Sequence, residues 1–210
     1  VTYGFEREWF VVNKETGIFE KVPVGLPRDE CGYLLEARGE SRDNPFEAAG
    51  NLLAKEAKLI VEVTDKYKTI NIRLIDAVKL SHKFYRQMIL EFGKNARNNR
   101  NGSMYGFDYP ATDKFSRAGI HIHFGNEYKI RVDSKPCKEC NAIHTEIREV
   151  VGIIDIPKYV SALDKAFKSE IKAAKRLLGL YELKNWGFEY RSLPASIDVW
   201  KVAEVVSKIV

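Results

Sequence analysis

Four stretches of this sequence place charged or imidazole side chains two residues apart inside runs that otherwise read as β-strand. They are Glu6 and Glu8; Glu36, Arg38 and Glu40; His121 and His123; and Glu189 and Arg191. Residues two apart in a strand share one face, so the Glu6 and Glu8 carboxylates should stand roughly 6–7 Å apart on the same side of a sheet. Charges on an inward face are costly unless they pair or bind metal. Four such groups imply one polar, concave sheet face suited to cations. Carboxylate oxygens with an occasional imidazole suit Mg²⁺ or Mn²⁺. Two such ions would neutralise the charge that develops during phosphoryl transfer. Arg191 could reach the same phosphate with its planar fork. Each group alone has a plainer reading: the wet face of an edge strand for Glu6 and Glu8, packed or solvated imidazoles for the histidines, cross-strand charge pairing for Glu189 and Arg191. Their coincidence on separate strands carries the cation reading.

The elements that must position these residues follow from periodicity and punctuation. Phe5 to Val12 reads as a strand, Asn13 to Gly17 as a turn, and Ile18 to Val24 as a returning strand. Tyr33 to Glu40 alternates again. Asn44-Pro45 opens a helix to about Thr64, with Ala49, Leu52, Leu53, Ala57, Ile60 and Val61 inward. Thr69 to Val78 suggests a strand, and Ser81 caps a helix to about Gly93. The connection from Asn95 to Pro110 is polar and long enough to be a functional loop. Arg117 to Gly125 and Tyr128 to Val132 are strands, the latter returning through Ile143 to Ile154. Pro157 begins the longest expected helix, to about Leu178. Phe188 to Ser192 is a last central strand, and Asp198 caps a C-terminal helix. The expected fold is α+β, a curved, mainly antiparallel sheet with helices packed on one side.

With 210 residues, 45% apolar and 30% charged, the chain suits one globular domain spanning 1–210. No stretch is apolar enough for a transmembrane helix. The first residues read as a strand carrying acids rather than a signal peptide, and a cytoplasmic location is the expectation. The formal charge of +5 is mild. The densest basic stretch, Lys94 to Arg100, reads as a solvated loop before it reads as a face for ATP phosphates or nucleic acid. Three cysteines argue against a disulfide framework. Cys137-Lys-Glu-Cys140 has zinc-knuckle spacing at the tip of a hairpin insertion over about 131–145. Cys31 and His144 are the candidates to complete such a structural zinc site, His144 the better one. Two plain thiols or a redox pair are the alternatives.

Gly4-Phe-Glu-Arg-Glu8, followed by a hydrophobic run and the Asn13-to-Gly17 turn, resembles the opening strand of carboxylate–amine ligases. Gly119-Ile-His-Ile-His-Phe-Gly125 resembles the G-x-H-x-H strand of glutamine synthetases and their ligase relatives, and Phe188-Glu-Tyr-Arg-Ser-Leu-Pro194 their E-x-R strand. The order along the chain matches as well. The best resemblance is to the compact amidoligases of phages and microbial gene clusters, within the glutamine synthetase and glutamate–cysteine ligase superfamily. It implies a glutamine synthetase-like catalytic domain whose sheet lines a funnel. ATP would enter one end and the acceptor the other, with two Mg²⁺ or Mn²⁺ ions between them.

Carried over by position, Glu6, His121 and Glu189 would bind the nucleotide-side metal. Glu8, with Glu36 or Glu40, would bind the second. Arg191 would stabilise the transferred phosphoryl group, and His123 would lie near nucleotide or substrate. Arg38 and Arg117 are candidates for holding phosphate or a substrate carboxylate. Arg191, Glu8 and Glu189 are the residues expected to carry catalysis. The implied reaction activates a small-molecule or peptide carboxylate as an acyl phosphate, which an amine then attacks. No nucleophilic Ser or Cys is required. Nucleic acid and membrane are not expected partners, and the oligomeric state is open. Two other classes compete: a metal-dependent hydrolase or transferase using the same groups without ATP, and a non-catalytic module binding nucleotide or nucleic acid.

Overall fold

A computed structural model describes residues 1–29, 32–79, 101–103, 115–125, 128–136, 143–152, 155–184 and 186–209. The expected helix over 81–93, the polar connection other than Asn101–Ser103, Cys31, Cys137 and Cys140 lie outside these residues. The elements in chain order are β1 (Thr2–Asn13), β2 (Leu34–Arg38), α1 (Pro45–Lys66), β3 (Ile70–Arg73), β4 (Ala77–Lys79), β5 (Asn101–Ser103), β6 (Phe115–Arg117) and β7 (Gly119–Gly125). They continue with β8 (Tyr128–Pro136), β9 (Ile143–Gly152), α2 (Ile156–Ala166), α3 (Lys168–Ala173), β10 (Leu180–Lys184), β11 (Gly187–Pro194) and α4 (Val199–Ser207).

The main sheet runs β2-β1-β7-β11-β10-β5, and every pairing in it is antiparallel. β3 pairs with the second half of β1, on the side that β7 leaves vacant beyond Arg7. β4 pairs β6 and β8 pairs β9 in two separate ribbons. The architecture is therefore α+β with a mostly antiparallel sheet.

The two faces of this sheet differ in chemistry because alternation in β1, β7 and β11 is in register. Phe5, Ile120, Ile122, Phe124, Phe188 and Tyr190 point to one side and are fully buried. They meet Leu52, Leu59 and Val63 of α1, Val160 and Leu163 of α2, Ile171 of α3 and Val202 and Val206 of α4. Burying each such side chain contributes about 1.5–3 kcal/mol, which makes this layer the core. The described helices thus pack on one face, leaving the other to the polar residues.

Asn44 caps α1 by accepting from the Phe46 and Glu47 amides, with Pro45 in the first turn. The buried stripe of α1 is rotated from the expected one: Glu56 faces inward while Val61 is exposed. The cause is Arg7, which points into the helical layer, bonds Glu56 Oε2 and donates to the Ile197 carbonyl at 3.0 Å. A buried cation requires a nearby carboxylate, and Glu56 supplies it.

Three expected elements differ. The run after Thr69 divides into β3 and β4, because Asp76 turns the chain by accepting from the Ser196 amide and hydroxyl while its carbonyl accepts from Ala118. Ile18 to Val24 makes only an isolated bridge, Phe19 to Val12; Pro23 has no amide hydrogen to extend a ladder. The helix expected from Pro157 is interrupted at Phe167, where φ is −120° and the ring is fully buried. It ends in a Schellman turn: Lys175 takes φ +55°, and Arg176 N donates to Ile171 O and Lys175 N to Lys172 O. The chain that follows forms β10, a strand the sequence reading did not assign. Among the described residues no helix is long and apolar enough to cross a membrane.

Candidate metal and anion site

The polar face is organised by strand register. Glu6 sits between Arg38 of β2 and His121 of β7, and Glu8 lies opposite Glu36. His123 lies between Gly4 and Glu189, and Glu189 in turn faces Glu182 of β10. Directly paired residues share a face, so five strand segments deliver Glu6, Glu8, Glu36, His121, His123, Glu182, Glu189 and Arg191 to one surface. Phe10, Leu34, Ala118 and Ala195 form a small apolar cluster at one end of it.

Glu6, Glu8, Glu36, His121 and Glu189 are all buried. His121 Nδ1 lies 2.6 Å from Glu6 Oε1 and 3.1 Å from Glu189 Oε1, while its Nε2 faces Glu8 Oε2 at 3.9 Å. At these two short distances from carboxylate oxygens, which only accept, Nδ1 of His121 is a donor. Burial and Arg191 lower the imidazole pKa, but Glu8, Glu189 and Glu6 outweigh them and raise it to about 9. His121 is therefore a positive centre pinning three acids. In spite of burial, its contacts with Glu6 and Glu189 hold both carboxyls well below the usual range. Burial and the Glu6 charge push Glu36 the other way, to about 8, against the pull of Arg38.

Cations ring the acids. Arg38 reaches Glu36 Oε2 at 2.8 Å and Glu6 Oε2 at 3.4 Å. Arg191 Nη1 bonds Glu189 Oε1 at 2.6 Å and Glu182 Oε2 at 2.9 Å. Lys184 Nζ lies 2.9 Å from both Glu182 Oε1 and Glu189 Oε2. Glu8 takes a backbone donor instead, the Gly119 amide at 2.7 Å.

The aim of Arg191 depends on a bulge. The β11–β7 register shifts between Tyr190 and Leu193, which leaves carbonyls in β11 without ladder partners. Arg176, turned inward by the Schellman turn, fills that gap. It donates to the carbonyls of Arg191 at 2.7 Å, Ser192 at 3.2 Å and Ala118 at 3.0 Å. Its guanidinium occupies the place where Gly119 lacks a side chain; a Cβ there would meet Arg176 Nη2 at 2.6 Å.

The donors fit a hard divalent cation. One ligand atom each from Glu6, His123 and Glu189 can be chosen so that all lie within 4.8 Å of one another. His123 Nε2 is buried without a hydrogen bond, although Glu6 Oε2 is 3.2 Å away. A buried nitrogen facing two carboxylates without a proton partner is suited to a metal. Beside these residues lies a cavity of about 620 Å³ lined by Thr2, Gly4, Glu6, Arg38, Ser41, His123 and Trp186, among others.

The structure thus brings together Glu6, Glu8, Glu36, His121, His123, Glu189, Arg38 and Arg191. The imidazole in the metal-sized triad is His123; His121, the expected ligand, lies with Nδ1 against the same Glu6 and Glu189. Glu40 does not join them. The pairing slips by one residue between Glu6–Arg38 and Tyr3–Arg42, so alternation fails beyond Arg38. Exposed, Glu40 pairs with Arg42 and Lys55, which lower its pKa. Arg117, at the end of β6, is tied by Nε to the Lys175 carbonyl at 2.6 Å. His144 lies on β9 opposite Lys135, and its proposed zinc partners Cys137 and Cys140 lie outside the described residues.

Sequence reasoning missed Glu182, Lys184, Arg176 and Trp186. The Glu182-x-Lys184 alternation, followed by Gly187, was the available signal for the first two. No protein-family description, curated protein or solved structure matches this chain.

Proposed function

We propose that the chain is an ATP-dependent carboxylate–amine ligase of the glutamine synthetase and glutamate–cysteine ligase type, with that superfamily's catalytic fold and two divalent metal ions. The observation that carries this reading is the convergence of Glu6, Glu8, Glu36, His123 and Glu189 with Arg38, Lys184 and Arg191 on one sheet face. Glu6, His123 and Glu189 would hold one ion, and Glu8 and Glu36 the other. Bound Mg²⁺ or Mn²⁺ would supply charge neutralisation for the triphosphate.

The side chains supply the remainder. Arg191, oriented by Glu182, Glu189 and the bulge, presents its guanidinium to the transferred phosphoryl group. Lys184 adds a second cation beside it. His121 keeps Glu6 and Glu189 fixed and ionised, so the site requires little rearrangement when it fills. A substrate carboxylate oxygen attacks the γ-phosphorus of ATP, the bond to the β–γ bridging oxygen breaks, and ADP leaves. An amine then attacks the acyl carbon of the acyl phosphate. The carbon–oxygen bond breaks, phosphate leaves with the amine's proton, and an amide or isopeptide bond remains.

The test supplies purified protein with Mg-ATP and a panel of amino-acid carboxylates and amines. It reads phosphate release and a product mass equal to the two substrates less water. Arg191→Ala should abolish both signals. Absence of nucleotide binding and of phosphate release across the panel rejects the proposal. Turnover of amides or phosphoesters with metal alone assigns a hydrolase. Nucleotide binding that survives Glu6→Ala and Glu189→Ala assigns a non-catalytic binding module.

A further inference from the structure

Trp186, in the turn between β10 and β11, is 40% exposed. It lies stacked on His123, with ring centroids 5.3 Å apart and planes at 26°. Both rings line the 620 Å³ cavity, together with Thr2, Gly4 and Gly125. The missing side chains keep this recess open. A Cβ on Gly4 would sit 3.3 Å from His123 Cβ, and one on Gly125 would sit 2.7 Å from Thr2 Oγ1.

The cations lie elsewhere or are committed. Arg191 and Lys184 converge on Glu182 and Glu189, and Arg38, the cation lining the recess, is tied to Glu6 and Glu36. The recess therefore offers an aromatic face, hydroxyls and peptide edges, with the Glu6 carboxylate at its inner end, but no uncommitted positive charge among its described lining residues. That is poor chemistry for a phosphate and good chemistry for a flat, neutral heteroaromatic ring. The volume falls in the range of small-molecule sites. Along β1, Thr2, Gly4 and Glu6 follow one another on the same face, so a ligand with its ring at Trp186 points its other end at Glu6 and Glu189.

We infer that Trp186, backed by His123, is the stacking platform for the base of a bound nucleoside triphosphate. This rests on the ATP reading and assigns it a base subsite. The ring stacks on the indole, the ribose crosses Gly4 and Gly125, and the phosphates reach the acids and cations of β10 and β11.

Calorimetry with Mg-ATP and with Mg-tripolyphosphate, which has the phosphates and no base, separates the two ideas. Wild type should bind Mg-ATP more tightly than Mg-tripolyphosphate. Trp186→Ala and Trp186→Leu should weaken Mg-ATP by roughly 5- to 150-fold, the range for removing one stacking aromatic, and leave Mg-tripolyphosphate unchanged. Trp186→Phe should restore most of the difference. If wild type binds the two ligands equally, or the variants weaken both alike, the base platform is overturned while the triphosphate reading stands. If wild type binds neither, both are overturned.

Discussion

Lys184 Nζ lies 2.9 Å from Glu189 Oε2, the carboxylate oxygen that also faces His123 Nε2 at 3.9 Å. Under the proposed function, an ammonium group and an incoming metal ion would compete for one oxygen. Burial lowers the Lys184 pKa, but Glu189 and Glu182 outweigh it, and the net shift is upward. Lys184→Met should therefore have opposite effects on two ligands. Mn²⁺ alone should bind more tightly, by about tenfold, because a like charge is removed. Mg-ATP should bind more weakly, because a phosphate partner is lost. Titration of each ligand by calorimetry checks this, and equal loss of both would contradict it.

Removing a ligand should be more severe. Glu6→Gln and Glu189→Gln should each lower Mn²⁺ affinity by more than the roughly 10- to 100-fold typical of outer-shell changes. Glu40→Gln should have no effect, because Glu40 pairs with Arg42 and Lys55 at the surface. Manganese paramagnetic resonance on the three variants reads free against bound ion directly.

Arg176 satisfies three carbonyls around the β11 bulge, at Ala118, Arg191 and Ser192. Arg176→Met should cost about 2–4 kcal/mol in urea unfolding, since it strips charged donors from buried acceptors. Gly119→Ala should cost less, because the Arg176 guanidinium it meets at 2.6 Å is the end of a flexible side chain. Mg-ATP affinity should fall in both variants, because Arg191 loses its fixed backbone.

Glu56 provides a stability test away from the site. Burial raises its carboxyl above the ordinary 4.5, only partly offset by Arg7. The stability it contributes is present in full below 4.5 and declines as pH rises through the folded value. Glu56→Gln removes this titration. The stability of wild type relative to the variant should therefore fall as pH rises above 4.5. Paired denaturant melts across that range measure it; a relative stability that rises with pH would show that the Arg7 charge governs instead.

The parts of the site legible in sequence were those on strands with regular alternation. Glu6, Glu8, His121, His123 and Glu189 could be assigned to one face because β1, β7 and β11 keep period two through those positions. Glu40 could not be placed correctly, because the slip that removes it from the face arises from a bridge to Tyr3, a contact between distant residues. Glu182 and Lys184 were hidden by a helix read as continuous to Leu178. The break at Phe167 has no proline or glycine to announce it. Arg176 and Trp186 acquire their roles only from long-range geometry: a bulge in the central β11–β7 pairing in one case, and a ring from another strand in the other. The buried stripe of α1 was misread for the same reason, since only the folded neighbour Arg7 explains an inward Glu56.

Arg7 has a wider consequence through its place between Glu6 and Glu8. It points into the helical layer, anchored to Glu56 and the Ile197 carbonyl, while its two neighbours point the opposite way. Deleting a single residue before Glu6 leaves this order intact, but shifting β1 by one position against β7 would drive two carboxylates into the oily layer and expose a guanidinium among the acids. The strand therefore has only one tolerable phase, so loop-length changes on either side of it must be absorbed in the turns.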